Sequence, residues 1–289
     1  LTVFPELGLT GYTCGDLFLQ QPLLDAAEAA LREILKASEA LQLVALVGLP
    51  VTVDAKLYNC AAVICQGVLL GLVPKSHIPN YGEFYEKRHY CAAPAGVKEI
   101  SFAGQKTLFG TKLLFRCETM QAFTLAVEIC EDLWAPLPPS TAHALAGATV
   151  IANLSASDET VGKAEYRRAL VSQQSARLLC AYLYADAGHG ESTTDMVFSG
   201  HNLIAENGAL LAESRPFSQA LAYTELDLGR LLAERRRNTS FEPVTDGYET
   251  VSFHLPLREI PLTRYISPTP FVPADGGARA ERCELILQM

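Results

Sequence analysis

The sequence predicts an α/β fold, two stacked sheets with helices outside. Segments of strand character alternate with amphipathic segments at helical spacing. The succession strand, helix, strand, hairpin occurs once before residue 75 and again from 123 to 213. With 289 residues, 49% of them hydrophobic, the chain can bury one large core or two small ones.

Residues 1–4 finish a strand, followed by Pro5-Glu6 and a glycine-rich loop, LGLTGYTCGD. Leu24, Ala27, Leu31, Ile34 and Leu35 recur at helical spacing, which predicts a helix over 21–41. Residues 43–49 form a buried strand. Residues 59–64 and 68–73 are strands joined at Gln66-Gly67, a hairpin signal. A polar and aromatic loop runs over 74–96. A strand is expected at 123–129, a helix near 140–145, a strand at 149–153, a helix at 164–179 and a strand at 181–185. Residues 201–205 and 209–212 make a second hairpin around Asn207-Gly208. Beyond Ser252 the chain is rich in Pro, Gly and charge, the composition of an extended arm. The expected division is therefore 1–253 as the main domain and 254–289 as a linker, with 282–289 starting a further helix.

Charge and cysteine usage exclude several classes. A net charge of −9 argues against a nucleic-acid partner. The one basic run, Arg235-Arg236-Arg237, follows the amphipathic DLGRLLAE and fits a solvated helix end. Eight cysteines without a CxxC pair, and no HxxxH, fit neither a metal site nor a small disulfide scaffold, so reduced cytoplasmic thiols and no metal are expected. No apolar run reaches the length of a membrane span. The chain starts at Leu1, without Met and inside a strand, so a preceding part is expected.

The chemistry-bearing stretch is Phe123 to Trp134, FTLAVEICEDLW. An apolar strand ends at Cys130, two carboxylates follow, then the one Trp of the chain. A thiol at a strand end, with a helix starting behind it, sits rigidly and faces free N–H groups that favour thiolate. The plain alternative is packing, because free cysteine is among the most buried residue types. Two other strand ends carry complementary groups, Glu6 (LTVFPE) and Lys75 (VLLGLVPK). Ligands gather at such ends in α/β sheets. A Glu6 carboxylate can take the Cys130 proton and return it to a leaving amine, while Lys75 steadies an oxyanion. A Cys-His pairing through His77 is the rival, and its place two residues past Lys75 makes it an ordinary loop residue.

At these three stretches the chain resembles the nitrilase superfamily of carbon–nitrogen hydrolases, whose Glu-Lys-Cys triad matches Glu6, Lys75 and Cys130. FPELGLTGYTCGDLF, PKSHIPNYGEFYEKRHY, EICEDLWAPLPPS, NLSASDETVGKAEYRR and GHGESTTDMVFSGHNLIAENG are similar to the amidase (glutaminase) domain of the glutamine-dependent NAD⁺ synthetase family. That resemblance implies a four-layer α-β-β-α sandwich, here missing its first strand and helix. It implies a domain that hydrolyses L-glutamine through a Cys thioester and needs no cofactor. The released ammonia would reach a synthetase domain of the same parent chain, which uses ATP and magnesium and whose SGGxDS motif is absent here. A cytoplasmic homo-oligomer is implied as well.

By the same resemblance Glu83 is the second glutamate, supporting the lysine. Tyr12, Tyr81, Glu86, Trp134 and Ser157 line the glutamine pocket, Glu86 receiving the substrate ammonium and Ser157 with Lys163 or Arg167 its carboxylate. The loop GHGESTTD lacks the GxGxxG dinucleotide pattern and resembles a family loop near the active site. Two other readings remain: a stand-alone amidase acting on another small amide, and a catalytically idle interaction module.

Overall fold

In the computed structural model, which describes residues 1–191, 195–259 and 261–289, strand β1 (Thr2–Val3) pairs in parallel with β2 (Val44–Val53). Helix α1 (Gln21–Ser38) lies between them in sequence. β2 then pairs antiparallel with β3 (Lys56–Cys65), and β3 with β4 (Val68–Pro74). With β5 (Lys98–Phe102) and β6 (Gln105–Phe109) these complete a six-stranded sheet in the order β1-β2-β3-β4-β6-β5.

The second sheet takes β7 (Leu113–Cys117), β8 (Thr124–Ile129), β9 (Val150–Ser155), β10 (Ala181–Asp186), β11 (Leu203–Glu206), β12 (Ala209–Glu213) and β13 (Glu249–Phe253). Its order is β12-β11-β10-β9-β8-β7-β13. The helices around it are α2 (Glu131–Trp134), α3 (Pro139–Leu145), α4 (Lys163–Leu178) and α5 (Leu228–Arg237).

The sequence echo is topological. β1-α1-β2-β3-β4 and β9-α4-β10-β11-β12 are each a parallel pair separated by a helix, continued by two antiparallel strands. Both hairpins named from sequence turn on two successive positive φ values, at Gln66 and Gly67 (48° and 80°) and at Asn207 and Gly208 (46° and 84°). Such turns match the right-handed twist of the strands they join.

Burial sorts the apolar side chains into layers. One cluster takes Leu46 and Val63 from the first sheet with Leu125, Ala152 and Leu154 from the second, so the sheets pack face to face. A second sets Leu31 and Leu35 of α1 against Val47, Leu49 and Ile64. A third sets Ala144 of α3 and Val171 and Leu178 of α4 against Ile151, Tyr182 and Leu203.

Two stretches differ from the sequence reading. Residues 97–122, left without elements, hold β5, β6 and β7. The pattern that fades beyond Ser252 is preceded by β13, an edge strand parallel to β7. These strands are only five residues long, too short for alternation to declare itself. The chain divides into two compact units, Leu1–Arg258 and Glu259–Met289. The second carries helix α6 (Gly276–Gln288), capped by the Asp275 side chain, which accepts the Ala278 N–H.

Candidate active site

The chain leaving β1 crosses directly over β2 at Gly48. A Cβ there would lie 2.3 Å from the Leu7 nitrogen and 2.8 Å from the Pro5 oxygen, so only glycine lets the segment carrying Glu6 pass. Glu6 is then fixed from both sheets. Its Oε1 accepts Asn59 Nδ2 of β3 at 2.6 Å and Lys75 Nζ at 2.6 Å. Its Oε2 accepts the N–H of Ala156, just past β9, at 2.9 Å.

Lys75 follows β4 and is wholly buried. Its Nζ donates to Glu6 Oε1 and, at 2.7 Å, to Glu86 Oε1. Burial works against its charge, but Glu6, Glu86 and Cys130 outweigh that and hold its pKa well above the ordinary lysine value. Glu86 Oε1 also accepts the Tyr12 hydroxyl at 2.8 Å. Burial raises the Glu86 pKa to about 7 against the opposing pull of Lys75.

Cys130 directly follows β8 with φ 43° and ψ −99°, a conformation that non-glycine residues rarely adopt. It is buried, with Glu6, Lys75 and Glu86 all close enough to act on its charge. Burial, then Glu6, push its thiol well above the ordinary cysteine range, and Lys75 and the Ala156 N–H pull the other way without prevailing. Burial and Glu6 thus favour the protonated sulfur, the direction opposite to the one expected from the helix start behind it. Asp132, two residues on, braces the site. Its carboxylate accepts the N–H groups of Ile129 (3.0 Å), Ser76 (3.1 Å) and His77 (2.8 Å), tying the end of β8 to the chain just past Lys75.

The pocket residues named from sequence divide between buried and exposed positions. Glu83 is exposed, and the glutamate touching Lys75 is Glu86, one turn further along the loop. Glu86 is only 6% exposed; its Oε1 is engaged by Lys75 and Tyr12, while its Oε2 has no partner among the described residues. Tyr12 is buried on Glu86, while Tyr81 is exposed with its hydroxyl 2.9 Å from both Glu131 oxygens. Trp134 tilts against Tyr166 and lies under Lys163, which pairs with Asp158. Ser157 is buried, its N–H on Asp186 and its hydroxyl accepting from Arg167. Arg167 is fully buried. His77 places Nδ1 3.0 Å from Asp132. Of GHGESTTD, Ser192–Thr194 lie outside the described residues; Glu191 accepts the N–H groups of Tyr12 and Thr13.

Asn59 and Asn153 were not singled out from sequence, yet each is a lone amide in an apolar strand, the pattern that betrays a buried polar group with a partner. Two cavities flank the cluster. One of about 130 Å³ is lined by Tyr12, Phe18, Glu86 and Tyr90. A wider one of about 780 Å³ lies along Tyr81, Glu131 and Trp134. Among the described residues no group of His, Cys, Asp and Glu could hold a metal ion, and no helix is long and apolar enough to cross a membrane.

An acid, an ammonium and a thiol at the strand ends of a two-sheet α/β fold are suited to covalent attack on a carbonyl carbon. Residues 1–236 match the carbon-nitrogen hydrolase family, and the chain belongs to it. Its relatives include the glutamine-dependent NAD(+) synthetase of Mycobacterium tuberculosis, 45% identical over 98% of this chain and 43% of the relative. That of Aquifex aeolicus is 30% identical over 87% and 41%. The chain thus spans less than half the length of these relatives. Among solved structures, the glutamine-dependent NAD(+) synthetase of Cytophaga hutchinsonii superposes with a TM-score of 0.67 at 30% identity, covering 76% of this chain and 35% of that one. A carbon-nitrogen hydrolase of Helicobacter pylori shares the fold, with a TM-score of 0.63 at 18% identity over 83% and 80%.

Proposed function

We propose that this chain is the glutamine-hydrolysing part of a glutamine-dependent NAD⁺ synthetase. The observation that carries the reading is the buried contact of Glu6 with Lys75 beside the Cys130 thiol, in a chain 45% identical to such a synthetase over nearly its whole length.

Because burial favours the protonated sulfur, a base is needed, and Glu6 takes the Cys130 proton as sulfur attacks the side-chain amide carbon of glutamine. Lys75 has three N–H groups and, among the described residues, two protein acceptors. The third is left for the oxyanion, beside the Glu131 N–H in the first turn of α2. Glu6 then gives its proton to the amide nitrogen, ammonia leaves, and a thioester remains. Water repeats the attack: Glu6 takes its proton and returns it to sulfur, and glutamate is released. The wider cavity takes the rest of the substrate. Half-buried Glu131, on its wall, suits the ammonium better than Glu86, and Lys163 beside Trp134 remains the candidate for the carboxylate.

The ammonia passes to a synthetase domain of the parent chain, where ATP and magnesium belong; this part works without metal or cofactor, in a cytoplasmic homo-oligomer. Ammonia release from glutamine by the wild type and by Cys130→Ala tests the reading. Turnover in the wild type and none in the variant is expected, and equal release from both would reject Cys130 as nucleophile. A stop codon directly downstream in the parent reading frame would favour a stand-alone amidase instead.

A further inference from the structure

Strand β8 alternates faces until its last step. Ala126 packs in the outer cluster, while Val127 and Ile129 pack between the sheets. Cys130 also packs between the sheets, a place that alternation denies to the residue after Ile129. The positive φ at Cys130 makes the break, at a conformational cost that the surroundings must bear.

The Cys130 N–H is held by two acceptors, Leu154 O at 3.0 Å and Asn153 Oδ1 at 3.0 Å. Asn153 is wholly buried in β9, opposite Glu128 of β8. Its Oδ1 also accepts the Ser155 hydroxyl at 2.8 Å, and its Nδ2 donates to the Tyr182 oxygen at 3.1 Å. The Tyr182 hydroxyl donates to Glu128 Oε1, and Glu128 Oε2 accepts the Ser140 N–H at 2.7 Å. The direction of this hydrogen-bond chain is forced from both ends. The backbone N–H groups of Cys130 and Ser140 can only donate, so the amide oxygen faces Cys130, the amide nitrogen faces Tyr182, and the tyrosine proton goes to Glu128.

Among the described residues no cation pairs with Glu128, and burial raises its pKa to about 7. A buried carboxylate without a counter-charge is destabilising in itself, so a strand position serving only packing would not call for one.

We propose that Asn153 is a positioning residue for Cys130: its amide, oriented by Tyr182 and Glu128, holds the backbone in the left-handed conformation that presents the sulfur to Glu6 and Lys75. The proposal rests on Cys130 being the nucleophile. It makes a specific demand: the direction of the hydrogen-bond chain can be reversed if both ends are exchanged. Asn153→Asp alone gives Tyr182 two carboxylates and one proton. Glu128→Gln alone sets two amide donors on the Tyr182 oxygen and leaves the tyrosine proton without an acceptor. In the double variant the amide introduced at position 128 would donate to Tyr182, and Tyr182 to the carboxylate introduced at position 153. That carboxylate would still accept the Cys130 N–H.

The test is glutamine hydrolysis, together with the rate and pH profile of Cys130 labelling by iodoacetamide followed by mass spectrometry, on the full chain. Each single variant is expected to lower kcat about a hundredfold with KM unchanged and to slow labelling. The double variant should recover both to within about tenfold of wild type. Tyr182→Phe, which keeps the volume and removes the relay, should lose kcat and not KM. A double variant that loses the product of the two single losses, or fails to fold, would overturn the proposal. So would a Tyr182→Phe protein with wild-type kcat and labelling. If the wild type hydrolyses no glutamine, the functional reading fails, while the labelling rates still decide whether Asn153 positions Cys130.

Discussion

Each topological repeat carries a buried cation, Lys75 at a strand end and Arg167 on a helix, and the two are used in opposite ways. Lys75, past the first repeat's last strand, meets two carboxylate oxygens and keeps a donor to spare beside a thiol. Arg167, on the helix of the second repeat, is enclosed. Its Nη1 lies 2.9 Å from Glu159 Oε2 and 3.0 Å from His201 Nδ1, and its Nη2 reaches the Ser157 hydroxyl and Asp158 O. His201 passes the network on, its Nε2 2.6 Å from Glu213. A guanidinium offers five donors in a fixed fork and suits such enclosure; an ammonium is a point charge that leaves a direction open. Lys75 thus keeps a donor direction open beside Cys130, whereas the Nη donors of Arg167 all meet protein acceptors and only its Nε has no partner among the described residues.

Substitutions around the two cations should therefore separate turnover from stability. Glu6→Gln is nearly isosteric and leaves Lys75 its Glu86 partner; kcat for glutamine should fall between about a hundredfold and ten-thousandfold. Its urea midpoint should move less than that of Arg167→Met. The latter strands Glu159 and Asp186 without their cation and should cost about 3–5 kcal/mol in urea unfolding. Its folded fraction should still turn over glutamine, and the reverse pattern would break the contrast.

A smaller effect concerns Asp186, whose pKa burial raises from 3.8 to about 7 despite Arg167. The folded state holds this proton to higher pH than the unfolded chain does. The stability it contributes is complete below about pH 4 and is lost as pH rises through about 7. Asp186→Asn removes that loss, so unfolding free energy measured from pH 4 to 7 should fall less steeply than in wild type. Smallest of all is Cys180→Ala, buried in the outer cluster: about 1 kcal/mol of stability and no change in kcat. A large loss of turnover in that folded variant would put a second thiol in the chemistry.

The strands that carry Glu6, Lys75 and Cys130 were legible because each is an apolar run stopped by one reactive side chain. The helices α1 and α4 and both hairpins were legible from spacing and from Gln66-Gly67 and Asn207-Gly208. The short strands β5, β6, β7 and β13 were not, since five residues give alternation too few repeats. Within the site, sequence order misled at the 74–96 loop. Glu83 comes first after Lys75, but the chain folds back through a short 3₁₀ turn, Glu86–Arg88, and Glu86 is the one brought inward. Asp132 stood in plain view beside Cys130, and its task, gathering N–H groups from the other sheet, depends on sheet-to-sheet docking that no local pattern encodes.

The burial of the Cys130 sulfur bears on how the protein meets oxidants. Oxidants and stray electrophiles consume thiolates that solvent can reach. Here Cys91 and Cys283 are exposed, whereas Cys130 is buried and its burial favours the thiol. Under the function proposed above, an oxidant in solution meets the exposed Cys91 before it meets the buried Cys130.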